Sequence, residues 1–202
     1  MATEREQAGD ERLGGFEVVV AMVAVMWLVE VVDAIDNHRL DSHGIRPRDA
    51  DGLIGILTAP FLHAGFGHLI ANTVPFVVMG FAIAFKGAAR VLAVTAIVAL
   101  VGGLGTWLVA PEHTVHIGAS GVVFGYATYL LSRGFFDRNL IELAIGLAVA
   151  FVWGSALLGG LLPRDGISWQ GHLFGAIGGV AAARLLAPAR EPRSGQEVAI
   201  RR

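Results

Sequence analysis

Residues 118–132 read GASGVVFGYATYLLS. The stretch is apolar, yet it is shorter than the roughly 20 residues an apolar helix needs to cross about 30 Å of hydrocarbon. It also carries Gly118, Gly121 and Gly125 at small-residue spacing and a hydroxyl at Ser120. Glycines let neighbouring backbones come close, and a polar side chain is costly against lipid. A short, glycine-rich apolar segment is best accommodated when other helices surround it, so this stretch predicts the central helix of a membrane bundle.

The flanking sequence supplies the surroundings. Apolar segments at 16–34, 67–85, 91–110, 140–162 and 171–188 bring the expected total to six transmembrane helices in an all-α bundle. Composition agrees: of 202 residues 54% are hydrophobic and only 16% charged, against about one quarter charged in ordinary soluble domains, and mean hydropathy is +0.63. Gly, at 27 residues, suits closely packed helices. A formal net charge of −2 provides no basic stripe, so no nucleic-acid partner is expected. The chain has no Cys, which excludes disulfides, Cys-based metal sites and a thiol nucleophile.

Residues 1–15 carry Glu4, Glu6, Asp10 and Glu11 beside Arg5 and Arg12, a poor leader, and the following apolar run ends without a small-residue cleavage pattern; it is expected to be a retained span. Three regions follow: a tail at 1–15, a six-helix membrane domain at 16–188, and a polar tail at 189–202 expected to be disordered. Lys and Arg set the orientation. Arg5, Arg12, Lys86, Arg90, Arg133, Arg138, Arg184, Arg190, Arg193, Arg201 and Arg202 fall on one side, against Arg39, Arg46, Arg48 and Arg164 on the other. Both termini are therefore expected in the cytoplasm, with the loops 36–51, 111–116 and 163–168 outside a multi-pass protein of the cell membrane.

With that topology the second, fourth and sixth spans all enter from the outer side. Each carries polar groups at its start: His68 and Asn72, one turn apart on one face, then Ser120, then His172. Singly, a Ser, His or Asn in a membrane helix is more often a back-bonded hydroxyl or a satisfied interhelical donor. Together, at one depth, they have the parts of a serine hydrolase. Ser120 is the candidate nucleophile and His172 its base; His68 and Asn72, with the Ser120 N–H, are candidates for an oxyanion hole. No Asp or Glu lies at the depth of His172, so a dyad is expected, with some other group orienting the imidazole and Phe124 placed to stack on it.

Other polar groups are less suggestive. Glu30 and Asp33 are expected to face the bundle or interface near Arg39, Arg46 or Arg48, Glu142 to snorkel, and His113 and His116 to lie in an exposed loop. H-E-x-x-H is absent, so a membrane zinc protease is not expected. Trp107 and Trp169 fall where an aromatic belt belongs.

The motifs as a set resemble those of rhomboid intramembrane serine proteases. His63 is followed five residues later by His68-Leu69-Ile70-Ala71-Asn72; Gly118-Ala119-Ser120-Gly121 stands as the G-x-S-G motif; and His172, Gly175 and Gly179 form H-x-x-G-x-x-x-G. The likeness spans about residues 44–188. Gly171 stands where Ala commonly precedes the His, and Phe124 where some members have Tyr. The resemblance implies a Ser120–His172 dyad with His68 and Asn72 assisting the oxyanion, and His63, Gly118, Gly121 and Phe124 in support. It further implies peptide-bond hydrolysis in or beside transmembrane segments of other membrane proteins, within a lipid bilayer, without metal or organic cofactor. The fifth span and the loop 163–168 are the expected gate, by analogy with the family. The rival within the same fold is a catalytically silent membrane-helix binder. A transporter using His63, His68 and His172 predicts internal symmetry, and the sequence has none.

Overall fold

The structure is a computed structural model, and it describes residues 3–188. The polar tail 189–202 lies outside the described residues. Among the described residues there are seven α-helices: α1 (Glu4–Ile35), a four-residue α2 (Gly55–Thr58), α3 (Phe66–Ala84), α4 (Ala88–Val109), α5 (Ser120–Phe136), α6 (Leu140–Gly160) and α7 (Trp169–Leu185). Between α1 and α3 the chain also makes 3₁₀ turns at Leu40–His43, Ala50–Ile54 and Ala59–Phe61. Among the described residues the one extended pairing is an antiparallel bridge between Ile45 and His116.

Helix α1 begins well before the apolar run. Thr3 caps it: its backbone N–H donates to Glu6 Oε2 at 2.6 Å and its hydroxyl accepts from Glu6 N–H at 3.3 Å. Much of the segment expected as a tail is therefore the first turns of a 32-residue helix. Among the described residues four helices are long and apolar enough to cross a membrane, at Gly9–Ile35, Phe66–Ala84, Ala88–Val109 and Leu140–Gly160. Of the six expected spans, the other two are α5 and α7, each 17 residues or about 25 Å long.

The shortness of α5 and α7 goes with their place in the bundle. Helix α5 packs against α3, α4, α6 and α7, and its Tyr126, Tyr129 and Leu130 are fully buried. Helices α5 and α7 meet along glycines. A Cβ on Gly175 would lie 2.1 Å from the Gly121 carbonyl oxygen, and one on Gly179 would lie 2.0 Å from that of Gly125. No side chain fits in that seam, so the two backbones touch. Thr128 adds an interhelical hydrogen bond to the Ala176 carbonyl at 2.7 Å. By contrast α6 lies at the margin: Phe151 is 91% exposed, and Leu147, Val152 and Leu158 face outward.

Glu142, on the first turn of α6, does not snorkel. It accepts from the buried Arg133 of α5 at 3.1 Å and pairs with Lys86 at 3.2 Å, while Arg133 also reaches Asp137 at 3.1 Å. This network ties the start of α6 to α5 at the bundle end opposite Ser120. Glu30 and Asp33 face the bundle as expected, at 0% and 1% exposure, but among the described residues neither pairs with an Arg, and Asp33 faces His38 at 3.3 Å.

Candidate active site

The segment carrying Ser120 is built by a turn that only glycine permits. Gly118 has φ +112°, and a Cβ there would fall 2.6 Å from His68 Cε1 and 2.8 Å from His68 Nε2. Its N–H donates to the Ala59 carbonyl at 2.8 Å, tying the turn to the short helical segment before α3. The next N–H, of Ala119, donates to His63 Nε2 at 3.3 Å. Two successive peptides are thereby fixed, and Ser120 follows as the first residue of α5. Its N–H belongs to the first turn, whose donors lack intrahelical partners.

His172 stands on the first turn of α7 and is buried. Its Nε2 lies 2.8 Å from Ser120 Oγ, and its Nδ1 lies 2.7 Å from the Gly160 carbonyl oxygen. A carbonyl only accepts, so Nδ1 carries the ring proton and Nε2 is the free base facing the serine hydroxyl. The group that orients the imidazole is thus a main-chain carbonyl at the end of α6. Phe124 stacks on the ring at 4.2 Å between centroids and 6° between planes.

His68 and Asn72 come from the first turns of α3. His68 Nδ1 accepts from Ala64 N–H at 3.3 Å, which leaves the proton on Nε2, the atom beside Gly118. Asn72 is buried, and its Nδ2 has no hydrogen-bond partner. A buried unsatisfied donor costs about 1–3 kcal/mol. Its amide lies over the same glycine, 3.6 Å from where a Cβ would stand. All four expected polar groups are brought together, and with residues 114–117 and 166–168 they line a surface-open cleft of about 570 Å³.

His116, expected exposed, is half-buried and joins three parts of this end of the bundle. Its backbone pairs with Ile45 at 2.9 and 3.0 Å, Nε2 meets Thr114 Oγ1 at 2.9 Å, and Nδ1 meets Ser168 Oγ at 2.7 Å. Ser168 is the N-cap of α7, accepting from Gly171 N–H at 3.3 Å. Burial lowers the pKa of His116 below its ordinary value. His63, 1% exposed and with the His68 ring 5.1 Å away, is pushed down to about 4, chiefly by burial and secondarily by that neighbour. A neutral His63 is what its accepting Nε2 requires. His113 remains exposed and outside the site.

The Rhomboid domain family profile matches residues 50–189, which include every residue of this cleft. The uncharacterized protein Rv1337 of Mycobacterium tuberculosis is 47% identical over 189 residues, covering 89% of this chain and 79% of its own length. YdcA of Bacillus subtilis, provisionally named a rhomboid protease, is 32% identical over 87% of this chain and 89% of its own. The rhomboid protease GluP of the same bacterium is 30% identical over 65% of this chain and 25% of its own. The chain belongs to the rhomboid family of multi-pass membrane proteins.

Proposed function

We propose that this chain is an intramembrane serine endopeptidase that hydrolyses peptide bonds in or next to the transmembrane segments of other membrane proteins. The observation that carries the reading is the 2.8 Å contact between Ser120 Oγ and the free Nε2 of His172 at the wall of an open cleft. A silent helix-binding relative has no need of that contact or of an oriented imidazole.

In the proposed reaction His172 Nε2 takes the hydroxyl proton as Ser120 Oγ attacks the scissile carbonyl. The Gly160 carbonyl stabilises the imidazolium by holding its Nδ1–H. The oxyanion is met by Asn72 Nδ2–H, His68 Nε2–H and the Ser120 N–H; one such donor is worth roughly 3 kcal/mol in other enzymes. His172 then returns its proton to the leaving amine. Water entering through the cleft hydrolyses the acyl-enzyme, and His172 again acts as base. No metal or organic cofactor has a part in this scheme.

The proposed setting is a cell membrane crossed six times, with α5 and α7 as short spans enclosed by the others, both termini cytoplasmic and the cleft open to the extracytoplasmic side. Substrate helices must unwind locally to present a carbonyl, so Gly or Pro near the outer boundary is favoured. The proposed lateral entry is between α6 and α3, with residues 163–168 lifting alongside. Cross-linking α6 to α3 without loss of cleavage contradicts this route.

The test is cleavage of a single-span substrate in proteoliposomes. The wild type cuts it, and Ser120→Ala and His172→Ala each lose nearly all activity. Variants that cut as well as wild type overturn the assignment.

A further inference from the structure

At the C-terminal end of α1 the chain reverses through residues 36–39 into the 3₁₀ turn Leu40–His43, and four titratable groups meet there. Asp33 is 1% exposed; its Oδ1 accepts the Leu40 N–H at 2.7 Å and its Oδ2 faces His38 Nδ1 at 3.3 Å. Asp41 joins them from the 3₁₀ turn. One donor atom from each of Asp33, His38 and Asp41 lies within 4.8 Å of the other two.

A second observation points to a missing occupant. Glu30, one helical turn before Asp33 on the same face, is fully buried, and neither of its carboxylate oxygens has a hydrogen-bond partner among the described residues. Standing three residues before Asp33 on α1, it shares the helix face that carries Asp33 into the cluster. Asp41 Oδ1 is also buried and unpartnered. Among the described residues no Lys or Arg pairs with Glu30, Asp33 or Asp41; Arg39 turns to the exposed Asp36 at 3.8 Å. Three carboxylates thus gather near a single imidazole, with buried oxygens that nothing among the described residues satisfies. A buried polar atom left without a partner costs about 1–3 kcal/mol.

We propose that Asp33, His38 and Asp41, backed by Glu30, form a binding site for a divalent first-row transition cation such as Zn²⁺. A mixed set of one imidazole nitrogen and carboxylate oxygens suits such an ion, whereas Ca²⁺ takes six to eight oxygens. Tetrahedral ligands at about 2.0–2.1 Å stand roughly 3.4 Å apart, so the trio closes by about an ångström or so on binding. The half-exposed His38 side chain supplies both the movement and the entry path. The site lies before residue 50, where the family match begins, and shares no residue with the cleft. It does adjoin the cleft's support: the same 3₁₀ turn ends at His43, whose carbonyl accepts from Thr58 Oγ1 at 2.7 Å, and Ile45 two residues on pairs with His116.

The test uses the full chain, purified in detergent through a histidine-free tag and stripped with chelator. It is titrated with Zn²⁺ by calorimetry, and bound metal is counted by elemental mass spectrometry. The expected result is one saturable equivalent, with affinity reduced roughly tenfold or more in His38→Gln and in Asp41→Asn. Bound Zn²⁺ is also expected to raise the thermal midpoint, a rise both variants lose. Neither variant removes the Asp33–Leu40 hydrogen bond, and an unchanged metal-free midpoint verifies folding. The proposal is overturned by absence of saturable binding, by binding that survives in the His38→Gln/Asp41→Asn double variant, or by a site that takes Ca²⁺ in preference to Zn²⁺.

Discussion

The main-chain carbonyl of Gly160 lies 2.7 Å from His172 Nδ1, so the last turn of α6 holds the imidazole that faces Ser120. Helix α6 is also the most outward-facing helix of the bundle and is anchored at its other end through Glu142. A lateral swing of α6 about that anchor would move the Gly160 carbonyl, and with it the tautomer and aim of the proposed base. With α6 as the proposed gate, access and base orientation would be coupled through one hydrogen bond.

That coupling predicts the effect of Gly160→Ala. A Cβ there stands 2.7 Å from Phe124 Cζ and 3.0 Å from His172 Nδ1, so the stacked pair must shift. Because oriented general-base catalysis contributes about 10²–10⁴-fold, kcat should fall at least about tenfold. KM and the thermal midpoint should change little. Steady-state cleavage kinetics beside thermal unfolding separate the two; unchanged kcat breaks the link.

His63 gives a pH prediction. Its folded pKa of about 4 lies below the ordinary value of 6.5, so the fold favours the neutral ring. Above about pH 6.5 both folded and unfolded states are neutral and stability does not depend on this group. Between about 6.5 and 4 the unfolded chain binds a proton that the folded chain refuses, and stability falls by up to about 3 kcal/mol. Below about 4 both states are protonated and the dependence ends. His63→Gln keeps an acceptor for the Ala119 N–H but does not titrate. Its unfolding midpoint should therefore decline less than that of wild type over this window, and parallel curves contradict the assignment.

The glycine seam between α5 and α7 predicts intolerance of a single methyl. Gly179→Ala places a Cβ 2.0 Å from the Gly125 carbonyl oxygen and 2.2 Å from Thr128 Oγ1. Overpacking of this kind costs about 1–3 kcal/mol, and here the obstacle is backbone. Gly154→Ala, on the open face of α6, meets nothing within 4 Å and serves as control. Denaturant titration in mixed micelles should destabilise the first variant and leave the second near wild type.

The buried Arg133–Glu142 pair predicts an asymmetry. Its side chains are 3% and 11% exposed, so Glu142→Gln leaves a buried guanidinium with Asp137 as its remaining carboxylate partner. Removing one partner of a buried pair costs about 3–5 kcal/mol, moderated here by Asp137. Arg133→Met with Glu142→Leu removes both charges and should recover much of that loss. A double-mutant cycle read by unfolding checks it.

Much of this architecture was legible in the sequence because the bilayer makes strict demands. Long apolar runs marked α1, α3, α4 and α6, and the glycine spacing from 118 to 125 marked the enclosed helix. Ser120, His172, His68 and Asn72 could be grouped because each stands at the start of a helix entering from one side. Gly160 could not be found this way, since it acts through a backbone carbonyl that every residue possesses. Nothing in the sequence groups Asp33 with His38 and Asp41, because only the reversal after α1 brings them together. His116 looked like a loop residue, although Ser168, a capping residue just ahead of the last apolar run, was a signal that something is built there.

The most direct measurement is to treat the purified chain with a fluorophosphonate and map the adduct by mass spectrometry. A Ser120–His172 dyad predicts phosphonylation of Ser120, lost in Ser120→Ala and strongly reduced in His172→Ala, because only an activated hydroxyl reacts. Absence of adduct in the folded wild type, or equal labelling in His172→Ala, would contradict a Ser120–His172 dyad.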